Sequence, residues 1–274
     1  MALLVTLVGV LGGAIGSFLN VVVHRVPAGI SVVHPPSACP YCSTRIRPYD
    51  NIPVISWIVL RGRCRECRAP ISARYPVLEL TTALAFAALA SWRLGEVVSA
   101  DSASSAFAEL AVLVALLYFA AVTIALAAID LDVHRLPNVI VLPSYAVVGS
   151  LLLTAALLEG DLVSFAQALA GSGILFAFYF VIALAAPRGM GMGDVKLAGV
   201  LGLILGWFGW GSLAVGGFSA FVLGGIAGIA LIAIRKARRT TAIPFGPWML
   251  AGAWVGIIAG EALASGYVTF IGLG

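Results

Sequence analysis

Two kinds of side chain in this sequence can do chemistry beyond packing: a pair of aspartates at the ends of apolar runs, and four cysteines in one polar segment. Asp130 closes the run Ala127-Ala128-Ile129-Asp130, and Asp194 opens another within Gly191-Met192-Gly193-Asp194-Val195-Lys196. Two carboxylates at short range cannot both ionise cheaply, so such a pair shares a proton. The ionised member then activates a water while the protonated one hydrogen-bonds a scissile carbonyl. That is aspartic proteolysis, and it needs no prosthetic group. The competing reading makes both ordinary boundary residues, Asp130 ending a helix and Asp194 stabilising the positive N-terminal end of another. A transporter using the same acids as ion ligands or proton relays is a further alternative. Asp132 is a near neighbour that the residues alone leave open as the partner of Asp194.

The cysteines are Cys39, Cys42, Cys64 and Cys67, two C-x-x-C pairs with 21 residues between them. Each tight turn aims two thiolates at one point, the usual way to surround a tetrahedral zinc. A loop of about 50 residues buries little core of its own, so a metal would supply its folding free energy. Four thiolates leave no open coordination position, so the expected zinc is structural. Unliganded thiols or a redox pair are the other reading. The histidines 24, 34 and 134 form no H-E-x-x-H pair, which removes the case for a zinc protease.

The elements that must position these groups are membrane helices. The chain has 274 residues, 61% hydrophobic and 10% charged, far from an ordinary soluble domain. Apolar runs near the roughly 20 residues that a spanning helix needs fall at 2–23, 77–94, 106–129, 137–158, 163–186, 195–211, 212–234 and 244–264. The expected fold is therefore all-α and polytopic, with about eight transmembrane helices. Its parts are a first helix (1–23), a zinc-ribbon-like module (24–76) and a transmembrane domain (77–274). The first run has no basic segment before it, unlike a cleaved signal peptide. Fifteen of the sixteen basic residues, Arg188, Arg235, Lys236, Arg238 and Arg239 among them, fall on one side when the N-terminus is outside, and only Arg93 is left near the outer face. Cytoplasmic loops are enriched in Lys and Arg, so the cysteine module and both aspartates are expected at the cytoplasmic boundary. The net charge of +4 then reports topology, with lipid as the partner and no nucleic acid implied.

Other polar residues fall at the same depth. Asn20 and Glu79 are placed to hydrogen-bond each other and fix the cysteine module, or to take part in the chemistry. Lys196 is expected to lower the pKa of a nearby carboxylate or to reach lipid headgroups. Pro244 and Pro247 bracket the start of the last span, where proline starts a helix well.

The residues around the aspartates carry a resemblance. Gly191-Met192-Gly193-Asp194 is similar to the glycine-x-glycine-aspartate motif of intramembrane aspartic peptidases. Gly189 to Lys196, with Asp130-x5-Leu136-Pro137-Asn138, resembles the bacterial type IV prepilin peptidases. So do Gly16-Ser17-Phe18-Leu19-Asn20, Tyr49-Asp50-Asn51-Ile52-Pro53, Arg61-Gly62-Arg63-Cys64, Arg74-Tyr75-Pro76-x2-Glu79 and Pro244-Phe245-Gly246-Pro247. The resemblance implies an inner-membrane enzyme that cuts the basic leader from prepilins and pseudopilins on the cytoplasmic side. It also implies N-methylation of the new N-terminal residue with S-adenosylmethionine, although some such enzymes could leave that step to another protein. On the family's pattern Asp130 and Asp194 are the catalytic pair. No glycine-rich nucleotide loop marks a donor site, so residues for methyl transfer stay unassigned.

Overall fold

The computed structural model describes residues 1–186, 189–234 and 244–272; Arg188 and the basic segment 235–243 lie outside them. Among the described residues the regular structure is helical, with two isolated antiparallel bridges and no strand. The chain divides into two compact units, Met1–Ile129 and Asp130–Gly274.

In the first unit, α1 (Ala2–Arg25) packs along α3 (Arg74–Ser99). Small residues on α1 let the two backbones approach closely, the usual device between membrane helices. A Cβ at Gly16 would stand 2.7 Å from Glu79 Cα, so only glycine fits there. The polar segment between them holds a 3₁₀ turn (Pro48–Asn51) and the short α2 (Ile55–Val59). The long α4 (Ala103–Val133) follows, and its last residues belong to the second unit. Arg93, the one basic residue expected near the outer face, is ion-paired with Glu109 and lies over the Trp92 ring. Its charge is thus neutralised locally rather than left as an exception to the distribution.

The second unit is built from α5 (Asn138–Glu159), α6 (Leu162–Ala185), α7 (Met192–Phe208), α8 (Trp210–Ala233) and α9 (Gly246–Phe270). All eight expected spans are helices. Seven of those among the described residues are long and apolar enough to cross a membrane, and the chain is a multi-pass membrane protein. The exception is α7, whose 17 residues reach only about 26 Å. It is apolar all round because it is enclosed, packing against α5, α6, α8 and α9. From Leu197 to Gly206 every residue is buried.

The expected boundary between α7 and α8 shifts for a local reason. Gly209 adopts φ +125, a conformation that side chains rarely take, and breaks the helix earlier than the apolar run does. The free amides at the start of α8 are then met by Glu261 of α9, whose Oε1 accepts the Ser212 N–H at 3.1 Å. Glu261→Ala is expected to lower stability by about 1 kcal/mol, as loss of an N-terminal cap does. Thermal unfolding in detergent should show the drop, and an unchanged midpoint would dismiss the capping role.

Candidate functional site

Asp130 lies near the end of α4 and is 5% exposed. Its Oδ2 accepts the Gly246 N–H at 3.1 Å. That amide belongs to the first turn of α9 and has no partner within its own helix, so the carboxylate serves as its acceptor. Pro247 comes next and has no N–H to offer, as expected of a proline starting a helix. A Cβ on Gly246 would stand 2.7 Å from the same carboxylate oxygen.

Asp194 sits in the first turn of α7, half-buried, and its Oδ2 accepts the Gly191 N–H at 3.0 Å. Each carboxylate therefore has one oxygen fixed by a backbone amide. Leu136 stands against both surroundings. After α4, His134 takes a left-handed turn (φ 53) and Pro137 leads into α5, which turns Leu136 back. A Cβ on Gly193 would meet Leu136 Cβ at 3.1 Å, and one on Gly246 would meet Leu136 Cδ2 at 3.2 Å. Leu136 thus lies against the glycine beside Asp194 and against the glycine whose amide holds Asp130. Asp132, two residues on, is exposed on the other side of the helix.

An aromatic cluster adjoins the pair. Tyr179 of α6 is 1% exposed. Its ring lies 5.4 Å from Phe221 of α8 and 6.3 Å from Phe245, the residue before Gly246. Nothing in the spacing of Tyr179 distinguishes it from other aromatic residues of an apolar helix. Lys196 contacts neither carboxylate: its Nζ donates to Asn138 Oδ1 at 3.1 Å, and Tyr145 Oη donates to its backbone carbonyl at 2.6 Å.

The four cysteines converge in the first unit, their sulfurs all within 4.8 Å of one another and Cys39 Sγ 3.8 Å from Cys67 Sγ. A tetrahedron with metal–sulfur bonds of about 2.3 Å has edges of about 3.8 Å, so the donor set fits a tetrahedral ion. The two knuckles share one geometry. Bridges pair Ala38 with Arg45 and Arg63 with Pro70, and the residue after each C-x-x-C, Ser43 or Arg68, has positive φ. The Thr44 hydroxyl, then its backbone N–H, hydrogen-bonds Cys42 and brings its thiol down to about 6. Cys64 is also lowered, first by the backbone N–H of Cys67, whereas Cys67, despite a hydrogen bond from the Ala69 backbone, is pushed up to about 12 by burial and the neighbouring thiols. Beside them Arg65 clamps Asp50 through Nε at 2.8 Å and holds that carboxyl below its ordinary range.

Asn20 and Glu79 meet as expected, Nδ2 to Oε1 at 3.5 Å. Glu79 also accepts the Val54 N–H at 2.7 Å, tying the polar segment to α3.

Residues 10–93 match the family model described as the bacterial peptidase A24 N-terminal domain, and residues 116–233 match the type IV leader peptidase family. Similar proteins named prepilin leader peptidase/N-methyltransferase occur in several bacteria. That of Aeromonas hydrophila is 35% identical over 93% of this chain and 90% of its own length. That of Stutzerimonas stutzeri is 33% identical over 95% and 92%, and that of Pseudomonas aeruginosa 32% identical over 96% and 92%. No solved structure matches the chain significantly.

Proposed function

Because this chain belongs to the type IV leader peptidase family, we propose that it removes the leader of prepilins and pseudopilins with Asp130 and Asp194, then methylates the exposed N-terminus. The observation that supports the reading is that both aspartates stand at helix ends beside surroundings that share Leu136, each with an oxygen held by a backbone amide. With one proton between them, the ionised carboxylate takes a proton from water as it attacks the scissile carbonyl. The protonated one donates to the carbonyl oxygen. Collapse of the tetrahedral adduct breaks the C–N bond as the leaving nitrogen takes up a proton.

The second step consumes S-adenosylmethionine. The neutral amine attacks the methyl carbon, the C–N bond forms, and the electrons of the S–CH₃ bond stay on sulfur as a thioether. The proton lost from the amine goes to solvent. Residues 24–76 act as a structural module in which Cys39, Cys42, Cys64 and Cys67 hold one zinc, whose contribution is to close the fold of the loop. The distribution of Lys and Arg supports an inner-membrane orientation with the N-terminus outside and the aspartates at the cytoplasmic boundary.

The test is mass spectrometry of a purified prepilin incubated with the enzyme and S-adenosylmethionine. The expected product has lost its leader and gained the mass of one CH₂ unit, a methyl group having replaced a hydrogen. An intact prepilin would sink the peptidase reading, and a cleaved but unmethylated product would sink the second step.

A further inference from the structure

A cavity of about 650 Å³ opens within the first unit, bounded by α1, the start of α3 and the cysteine segment. Ser17, Asn20, Arg25, Ile52, Trp57 and Glu79 are among its walls. The volume lies in the range of small-molecule sites, roughly 300–1,000 Å³. Glu79 is 8% exposed. One of its oxygens accepts the Val54 N–H at 2.7 Å, and the other has only the long 3.5 Å contact from Asn20. Val54 is a β-branched residue at φ 61, a strained conformation of the kind that persists where a site needs it.

No cation balances Glu79 among the described residues. Of the arginines in its walls, Arg47 is paired with Glu66 at 3.1 Å and Arg65 with Asp50 at 2.8 Å, while Arg25 and Arg45 form no ion pair with Glu79 among the described residues. A buried carboxylate is stable when a positive group meets it. The Glu79 end of the cavity therefore favours a positive group on the ligand, the volume suits a body the size of a nucleoside, and the arginines in the other walls suit an anionic group on the same molecule. At the opposite polarity Arg25 places one N–H on the Ser31 carbonyl at 2.9 Å, and its guanidinium has further donors for a carboxylate. Trp57, held by its Nε1–H on the Ile71 carbonyl at 3.1 Å, offers an aromatic wall.

We propose that this cavity binds the methyl donor, with Glu79 and Asn20 holding the sulfonium and α-ammonium end of S-adenosylmethionine; the proposal rests on the two-step function above. The assignment has a consequence that a merely structural glutamate would not produce. Transfer turns the sulfonium into a neutral thioether, so the Glu79 charge favours S-adenosylmethionine over its product and helps the spent donor leave.

Equilibrium binding to the full-length, zinc-loaded protein in detergent tests this, with labelled S-adenosylmethionine as probe and S-adenosylhomocysteine as competitor. Glu79→Gln is expected to weaken donor binding at least about tenfold and to bring the affinity ratio of donor to product toward one, because hydrogen bonding remains and the charge is gone. Should that variant lose its zinc, Ile52→Trp fills the cavity from its rim without touching Glu79, and should prevent binding. Donor binding unchanged in a folded variant of either kind, alongside normal methylation by the wild type, overturns the cavity and leaves the two-step function standing. A donor bound in the cavity with no methylated product would keep the site and sink the two-step function instead. No binding to the wild type overturns both.

Discussion

Asp130→Asn and Asp194→Asn are each expected to slow leader removal roughly a thousandfold or more, with KM nearly unchanged. Asparagine has the shape of the carboxyl group and can still accept the Gly246 or Gly191 amide, so both variants should fold. Neither can pass a proton, which removes the base that activates water in one case and the acid that supplies a proton to the adduct in the other. Because the two groups act as one unit, the double variant should be little worse than either single one. Asp132→Asn is the control: its exposed side chain lies off the pair, and cleavage should stay near the wild-type rate. Initial rates on a purified prepilin decide the matter. Full cleavage by Asp130→Asn or Asp194→Asn, or an Asp132→Asn as inactive as they are, would overturn the pairing.

The second large effect is expected from the thiols. Cys39→Ser or Cys64→Ser should reduce bound zinc from about one per chain to near none, because three thiolates cannot close a tetrahedral site. Structural zinc contributes roughly 10–16 kcal/mol in small peptides. That exceeds what the 24–76 segment draws from its own core, where Cys39, Ser56 and Pro76 are the buried side chains. The variants should therefore be cut by protease within 24–76 while circular dichroism still reports the long helices. Metal analysis and limited proteolysis give the readings. A wild-type protein free of metal yet resistant to protease would remove zinc from the account.

Much of this arrangement was legible in the sequence because the physics involved is local. Lipid demands apolar runs of fixed length, and so the eight helices could be drawn where they occur. The C-x-x-C turns declare their own geometry, and the four sulfurs converge. Asp130 was preferred to Asp132 for its spacing to Leu136-Pro137 and because it directly continues the apolar span, but its bond to the Gly246 amide joins residues far apart in the chain and no spacing carries that. The early end of α7 at Gly209 was hidden by an apolar run that continues past the break. Glu261 and Tyr179 were missed for a shared reason. Each is set by partners far along the chain, Ser212 in one case and Phe221 and Phe245 in the other, and neither stands out in a window of its own helix.

The enclosure of α7 also bears on how this sequence can drift. A helix that faces lipid can exchange one aliphatic residue for another along its outer stripe, and α8, with few buried positions, has that latitude. Between Leu197 and Gly206, α7 has no such stripe: Gly199, Gly202 and Gly206 each face a neighbour too near to admit a Cβ, and the leucines between them fill fixed volumes. Neutral change there has to be concerted with the surrounding helices, so among diverging descendants this short segment should be the slowest clock in the chain. The helix that carries Asp194 would then preserve the oldest part of its history.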